Sequence, residues 1–128
     1  MVNGEQRAVS GKPHERLEAW KSAMELVEVI YRVTSTFPPQ EQYGLVSQMR
    51  RAAVSVPSNL AEGAARDGSR EFARFLAIAR GSLSELDTQY QIAIRLGFVK
   101  SDQNQIEPLL ERTSKLVSGL HKKMKETE

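Results

Sequence analysis

Apolar residues return along this chain in steps of three and four, with polar residues filling the intervals. The clearest run is Phe72, Leu76, Ala79, Leu83, Leu86, Tyr90 and Ala93. That spacing keeps one face of a helix apolar and predicts a helix over Arg70 to Leu96. Leu17, Trp20, Met24, Val27, Tyr31 and Thr34 predict an earlier helix, from Glu15 to Thr36. Phe37-Pro38-Pro39 ends it, because proline cannot continue a helix and biases the preceding residue away from helical angles. Ile106, Leu109, Thr113, Leu116 and Leu120 predict a last helix. Ser101 is its cap, and its Lys-rich end suits the helix dipole. Pro108 marks either a first-turn start near Glu107 or a mild bend.

The remaining helix begins near Glu41 and carries Val46, Met49, Ala53, Val56, Leu60 and Gly63 on its stripe. Gly68 is its left-handed stop and Ser69 the cap of the next helix. Pro57 interrupts it, since the ring lacks an N–H and crowds the carbonyl four residues back. Two readings are open. The apolar phase runs through Pro57 without a slip, which fits one kinked helix. Alternatively Ser55 is an N-cap, which would set Pro57 in a first turn where no hydrogen bond is lost.

No segment alternates with period two, so the chain reads as all-α. Three short connections between four helices predict an antiparallel up-down-up-down four-helix bundle, its second helix kinked near Pro57. Residues 15–125 form this single domain, and residues 1–14 a polar, frayed arm. Further apolar residues lie off the main stripes: Leu26, Val29, Ile30 and Val33; Leu45 and Val54; Ile78, Ile92 and Ile94. One bundle does not need so wide an apolar surface, which points to a subunit interface. Small residues crowd the second helix (Ala52, Ala53, Ser55, Ser58, Ala61, Gly63, Ala64, Ala65) and recur at Gly81, Ser82 and Ser84. A glycine inside a helix costs about 1 kcal/mol relative to alanine. Close helix approach, within the bundle or between subunits, would offset that cost.

Composition narrows the function. The chain has 128 residues, 40% apolar and 27% charged, as expected of one globular domain. With no cysteine, disulfides and thiolate chemistry are excluded. No apolar run reaches the roughly 18–20 residues of a membrane span. The opening MVNGEQRAVSGKPHE lacks a secretory apolar core, so the reading is cytoplasmic, with no membrane partner. The net charge of +2 arises wholly in residues 41–82, where six arginines face four acids.

Catalytic patterns are missing. His14 and His121 have no glutamate three residues before them and no Cys or His at ligand spacing, so neither a dimetal nor a zinc site is expected. Gly63, Gly68 and Gly81 are isolated and form no phosphate-cradling loop. No metal or cofactor is expected, and the chain reads as non-enzymatic. Asn59 and Glu62, beside Pro57, are expected to form a buried hydrogen-bonded pair that locks helices together. The candidate binding residues are the arginines Arg50, Arg51, Arg66, Arg70, Arg74 and Arg80, which could clamp phosphates. Glu62 lies four before Arg66, and Asp67 and Glu71 are close, so ion pairs compete for them. Phe72 and Phe75 lie near these arginines, but their spacing assigns them to the core.

The segments FPPQEQYGLVSQMRRAAVSVPSNLAEGAAR and FARFLAIARGSLSELDTQYQIAIRLG closely resemble the four-helix 23S rRNA intervening-sequence proteins. The family pattern combines an FP-x-x-E-x-Y-x-L start, an RRA-x-S-[IV]-P-x-N-[IL]-AEG core and an FL-x-IA-x-GSL-x-EL segment. Each occurs here in order from Phe37 to Leu86, and the likeness extends from Leu17 to Lys125. A related group, the accessory variability determinant proteins of diversity-generating retroelements, is similar in fold. The resemblance implies a bacterial homo-oligomer, a pentamer, with RNA or a nucleic-acid-processing protein as partner. The near-balanced charge here departs from the strongly basic retroelement proteins. The alternative is a protein-interaction scaffold without nucleic-acid contact.

Overall fold

The computed structural model describes residues 11–100 and 104–127. The expectations for residues 1–10 and for a cap at Ser101 lie outside them. Four helices account for most of the described residues: α1 (Glu18–Thr34), α2 (Leu45–Ala64), α3 (Ser69–Arg95) and α4 (Ile106–Glu126). Short 3-10 turns at Pro13–Arg16 and Pro39–Glu41 precede α1 and α2. The first packs the His14 ring edge-on against Trp20, with centroids 5.0 Å apart. At about 1.5 Å per residue, the 27 residues of α3 span roughly 40 Å.

The helices form a ring of neighbours, α1 on α2, α2 on α3, α3 on α4 and α4 on α1, and the diagonal pairs do not approach closely. Contacts across each seam fix the direction of the helices. Between α2 and α3, Gly63 meets Phe72 and Phe75 while Ser55 meets Ser82, so one helix retreats as the other advances. Between α4 and α1, Glu18 meets Arg112, Ser22 meets Thr113 and Arg32 meets Gln105. Between α3 and α4, Arg80 meets His121 and Tyr90 meets Glu107. Those three seams are antiparallel, which leaves α1 antiparallel to α2 as well.

In α2 and α3 the predicted stripes are the buried faces. Val46, Met49, Ala53, Val56, Leu60 and Gly63 are all buried, as are Leu76, Ala79, Leu83, Leu86, Tyr90 and Ala93. Phe72 is half-buried against them. Pro57 is itself buried inside an unbroken α2, so Ser55 caps no separate helix. α3 begins at Ser69, one residue before the predicted start, and Gly68 before it has a φ of 87° that an L side chain would resist.

In α1 and α4 the buried face is turned from the predicted one. α1 buries Ala19, Ser22, Ala23, Leu26, Val29, Ile30 and Thr34, whereas Met24 and Tyr31 are 40% and 43% exposed. Aromatic bulk at Trp20 and Tyr31 favoured a stripe one residue, or about 100°, away. The observed stripe carries Leu26, Val29 and Ile30 into the core, and beside them Ser22 and Thr113 bring fully buried hydroxyls 2.7 Å apart. α4 likewise buries Ile106, Leu110, Thr113 and Val117, with Leu109, Leu116 and Leu120 packed at its edge. Asn104 organises the start of α4: its Oδ1 accepts the Ile106 N–H at 2.7 Å and its Nδ2 donates to the Lys100 carbonyl at 2.6 Å. Pro108 therefore sits in a first turn, where its missing N–H leaves no bond unmade.

Two packing expectations are corrected. Leu26, Val29, Ile30 and Leu45 belong to the core, and Val33 and Ile94 pack against it. Of the off-stripe apolar residues only Val54, Ile78 and Ile92 are largely exposed, and Val33 and Ile94 are half-buried. The close approach inside the bundle is at Gly63, where a Cβ would lie 2.8 Å from Phe75 Cβ. At Gly81 nothing comes within 4 Å of a Cβ position, so no contact within the bundle explains that glycine.

Candidate nucleic-acid interface

The six candidate arginines do not converge. From Arg50 to the end of α2 at Ala64 is about 21 Å of helical rise, with Arg66 in the turn beyond, and the six fall into three environments. At the α2–α3 turn, Arg66 Nη2 lies 2.8 Å from Glu62 Oε2 and Arg74 Nε lies 3.6 Å from Glu71 Oε1. Both guanidinium groups also stand over the buried ring of Phe75, at 5.2 and 4.7 Å from its centroid. These cations cover the end of the core, and each has a carboxylate beside it. Arg70, between them, is exposed with no hydrogen bond or ion pair among the described residues.

Arg80 faces the α3–α4 seam, with Nη1 3.3 Å from His121 Nδ1. The concavity there also holds Asp87, Glu107 and Glu111, so its acids outnumber its fixed cations. Among the described residues, no group of three His, Asp or Glu side chains could hold a metal ion.

The third environment is the outer face of α2. Arg50 is half-buried where α2 meets α1, and three contacts fix its head group. Nε donates to Thr34 Oγ1 at 3.0 Å, Nη2 donates to the Tyr31 carbonyl at 3.3 Å, and the guanidinium stands 4.4 Å from the Tyr31 ring centroid. A guanidinium has five N–H donors, so an anchored Arg50 keeps donors for an anion. Arg51, the next residue, points to solvent without an ion pair among the described residues. Tyr43, in the turn before α2, is 96% exposed.

Together these side chains line a cleft of about 570 Å³ with Gln42, Val46, Ser47, Val54 and Ser55. It contains two arginines and two tyrosines and no carboxylate. Three other concavities on the surface each include at least one glutamate. The tyrosines are what the sequence pattern missed: Tyr31 obeys a core-like spacing, and Tyr43 lies in a turn with no periodicity.

The expected Asn59–Glu62 pair is not formed. Asn59 Nδ2 donates to the Ser55 carbonyl at 2.8 Å and to Ser55 Oγ at 3.0 Å, while exposed Glu62 pairs with Arg66. The carbonyl deprived of its helical donor by Pro57 is that of Ala53, four residues back, so Asn59 does not replace that bond. Asn59 instead steadies Ser55, whose hydroxyl lies 2.8 Å from that of Ser82 and ties α2 to α3.

Fold and surface thus define a small all-helical bundle with one arginine-tyrosine cleft on its second helix. The chain belongs to the 23S rRNA-intervening sequence protein family, whose model matches residues 15–119. Among curated proteins there is no significant match. No helix among the described residues is long and apolar enough to cross a membrane.

Proposed function

We propose that this protein is an RNA-binding bundle that holds RNA through arginines of α2 and α3, with Arg50 and Arg51 as the principal contacts. The observation that carries this reading is the cleft with two guanidinium groups and no carboxylate. A phosphate backbone is attracted to such a cleft, whose lining holds no fixed acid. Membership of a family described by a 23S rRNA intervening sequence supports RNA as the anion. The role is binding, with no reaction assigned to it. Fluorescence anisotropy of a labelled RNA at low salt tests the reading. Arg50→Ala with Arg51→Ala weakens binding roughly tenfold or more, and Arg70→Ala with Arg74→Ala has a smaller effect. Equal binding by wild type and the Arg50/Arg51 variant removes the cleft from the account.

A second reading, homo-oligomeric assembly with or without RNA, is favoured by a separate observation. Ile78 and Ile92 on α3 and Leu96 just beyond it are 43%, 42% and 57% exposed, and their spacing places them on one side of the helix. A self-contact over that strip would cover them. The pentamer implied by the family resemblance belongs to this reading.

A further inference from the structure

We infer that the α2 cleft takes unpaired RNA, with a base stacked on Tyr43; the inference rests on the RNA-binding reading above. Tyr43 is 96% exposed, and no hydrogen bond or ring contact is formed by it among the described residues. A ring left in water beside two arginines is a free π-face, and every nucleobase has a matching one. Tyr31 plays a different part, because the Arg50 guanidinium stands over its ring. That contact, with the bonds to Thr34 and Tyr31, holds Arg50 in place before any ligand arrives. Arg51 is free to follow the backbone. The cleft therefore offers one anchored cation, one exposed cation without an ion pair among the described residues, and one stacking surface.

This combination favours single strands. In an A-form duplex the bases are stacked on one another and the major groove is deep and narrow, so a lone tyrosine finds no free base face except at the two ends. A duplex would be held by its phosphates alone, and Tyr43 would contribute little. An acidic peptide would satisfy the arginines but would likewise leave the tyrosine without a planar partner.

The test compares three fluorescent probes by anisotropy on the full chain: a short oligouridylate, a blunt RNA duplex of equal length, and a polyglutamate peptide. The oligouridylate binds tightest. Tyr43→Ala weakens it by roughly 5- to 100-fold, Tyr43→Phe retains it, and the duplex is unaffected by either change. Arg51→Ala weakens both RNA probes. If Tyr43→Ala leaves oligouridylate binding unchanged while Arg51→Ala weakens both RNAs, stacking is overturned and the RNA reading stands. If neither RNA binds at low salt, the RNA reading falls and this inference with it. Preference for polyglutamate over both RNAs assigns the cleft to an acidic protein partner and also overturns it. Tyr43 lies outside the core, so the folding of its variants, checked by circular dichroism, is expected to match wild type.

Discussion

Arg50 carries its guanidinium 4.4 Å from the Tyr31 ring centroid and donates through Nε to Thr34 Oγ1 at 3.0 Å. One cation thus ties α1 to α2 and shapes the cleft between them. Replacing it by lysine keeps the charge but loses the planar fork and the directed bonds. Arg50→Lys is expected to lower stability by about 1–2 kcal/mol, read from urea denaturation. It should also weaken RNA binding, although the net charge is unchanged. Wild-type behaviour in both assays would mean that charge alone matters at this position.

Two glycines make opposite predictions. Gly63 is pressed against the Phe72 ring and against Phe75 Cβ, which cannot swing aside without moving α3. Gly63→Ala should cost about 1–3 kcal/mol. Gly81 has open space at its Cβ position, so Gly81→Ala should gain about 0.5–1 kcal/mol from helix propensity. Thermal melts of the two variants decide this. A Gly81→Ala protein that melts lower and associates less would place Gly81 at a contact between subunits.

Ser22 and Thr113 form a buried hydroxyl pair across the α1–α4 seam. Ser22→Ala alone leaves the Thr113 hydroxyl buried and unpaired, at a cost of about 1–3 kcal/mol. Adding Thr113→Val removes the stranded group and should recover much of the loss. The double-mutant cycle is expected to give a coupling of about 1 kcal/mol or more. Additive losses would show that the pair is not a stabilising unit.

If α3 carries a self-association strip, charges placed there should break it. Ile78→Glu with Ile92→Glu changes exposed positions and leaves the core untouched. Light scattering should find the wild type as an oligomer and the variant as a monomer with unchanged helix content. A monomeric wild type would contradict the assembly reading.

The sequence rhythm was enough to locate all four helices, and α2 and α3 could be read face by face. In each, the strict three-four stripe is the buried one, the off-stripe Val54, Ile78 and Ile92 stay exposed, and Pro57 leaves the phase intact. α1 and α4 carry two overlapping stripes, and spacing alone does not say which is inside. The outcome is tertiary: Leu26, Val29 and Ile30 fill the core, Ser22 pairs with Thr113 across the seam, and Tyr31 stays outside. The candidate site was legible only in part for the same reason. Arg50 and Arg51 stand out in a run of small residues, but their neighbours Tyr31 and Tyr43 come from another helix and from a turn. Whether an arginine faces a carboxylate, as Arg66 and Arg74 do, is likewise settled by packing.

The most direct measurement of the central claim is the salt dependence of oligouridylate affinity for wild type and for the Arg50→Ala, Arg51→Ala double variant. Each phosphate neutralised on a single strand contributes about 0.7 to the slope of log affinity against log salt. Loss of two such contacts predicts weaker binding and a slope shallower by about 1.4. Identical affinity and slope in the two proteins would contradict the assignment of the α2 cleft as the RNA contact.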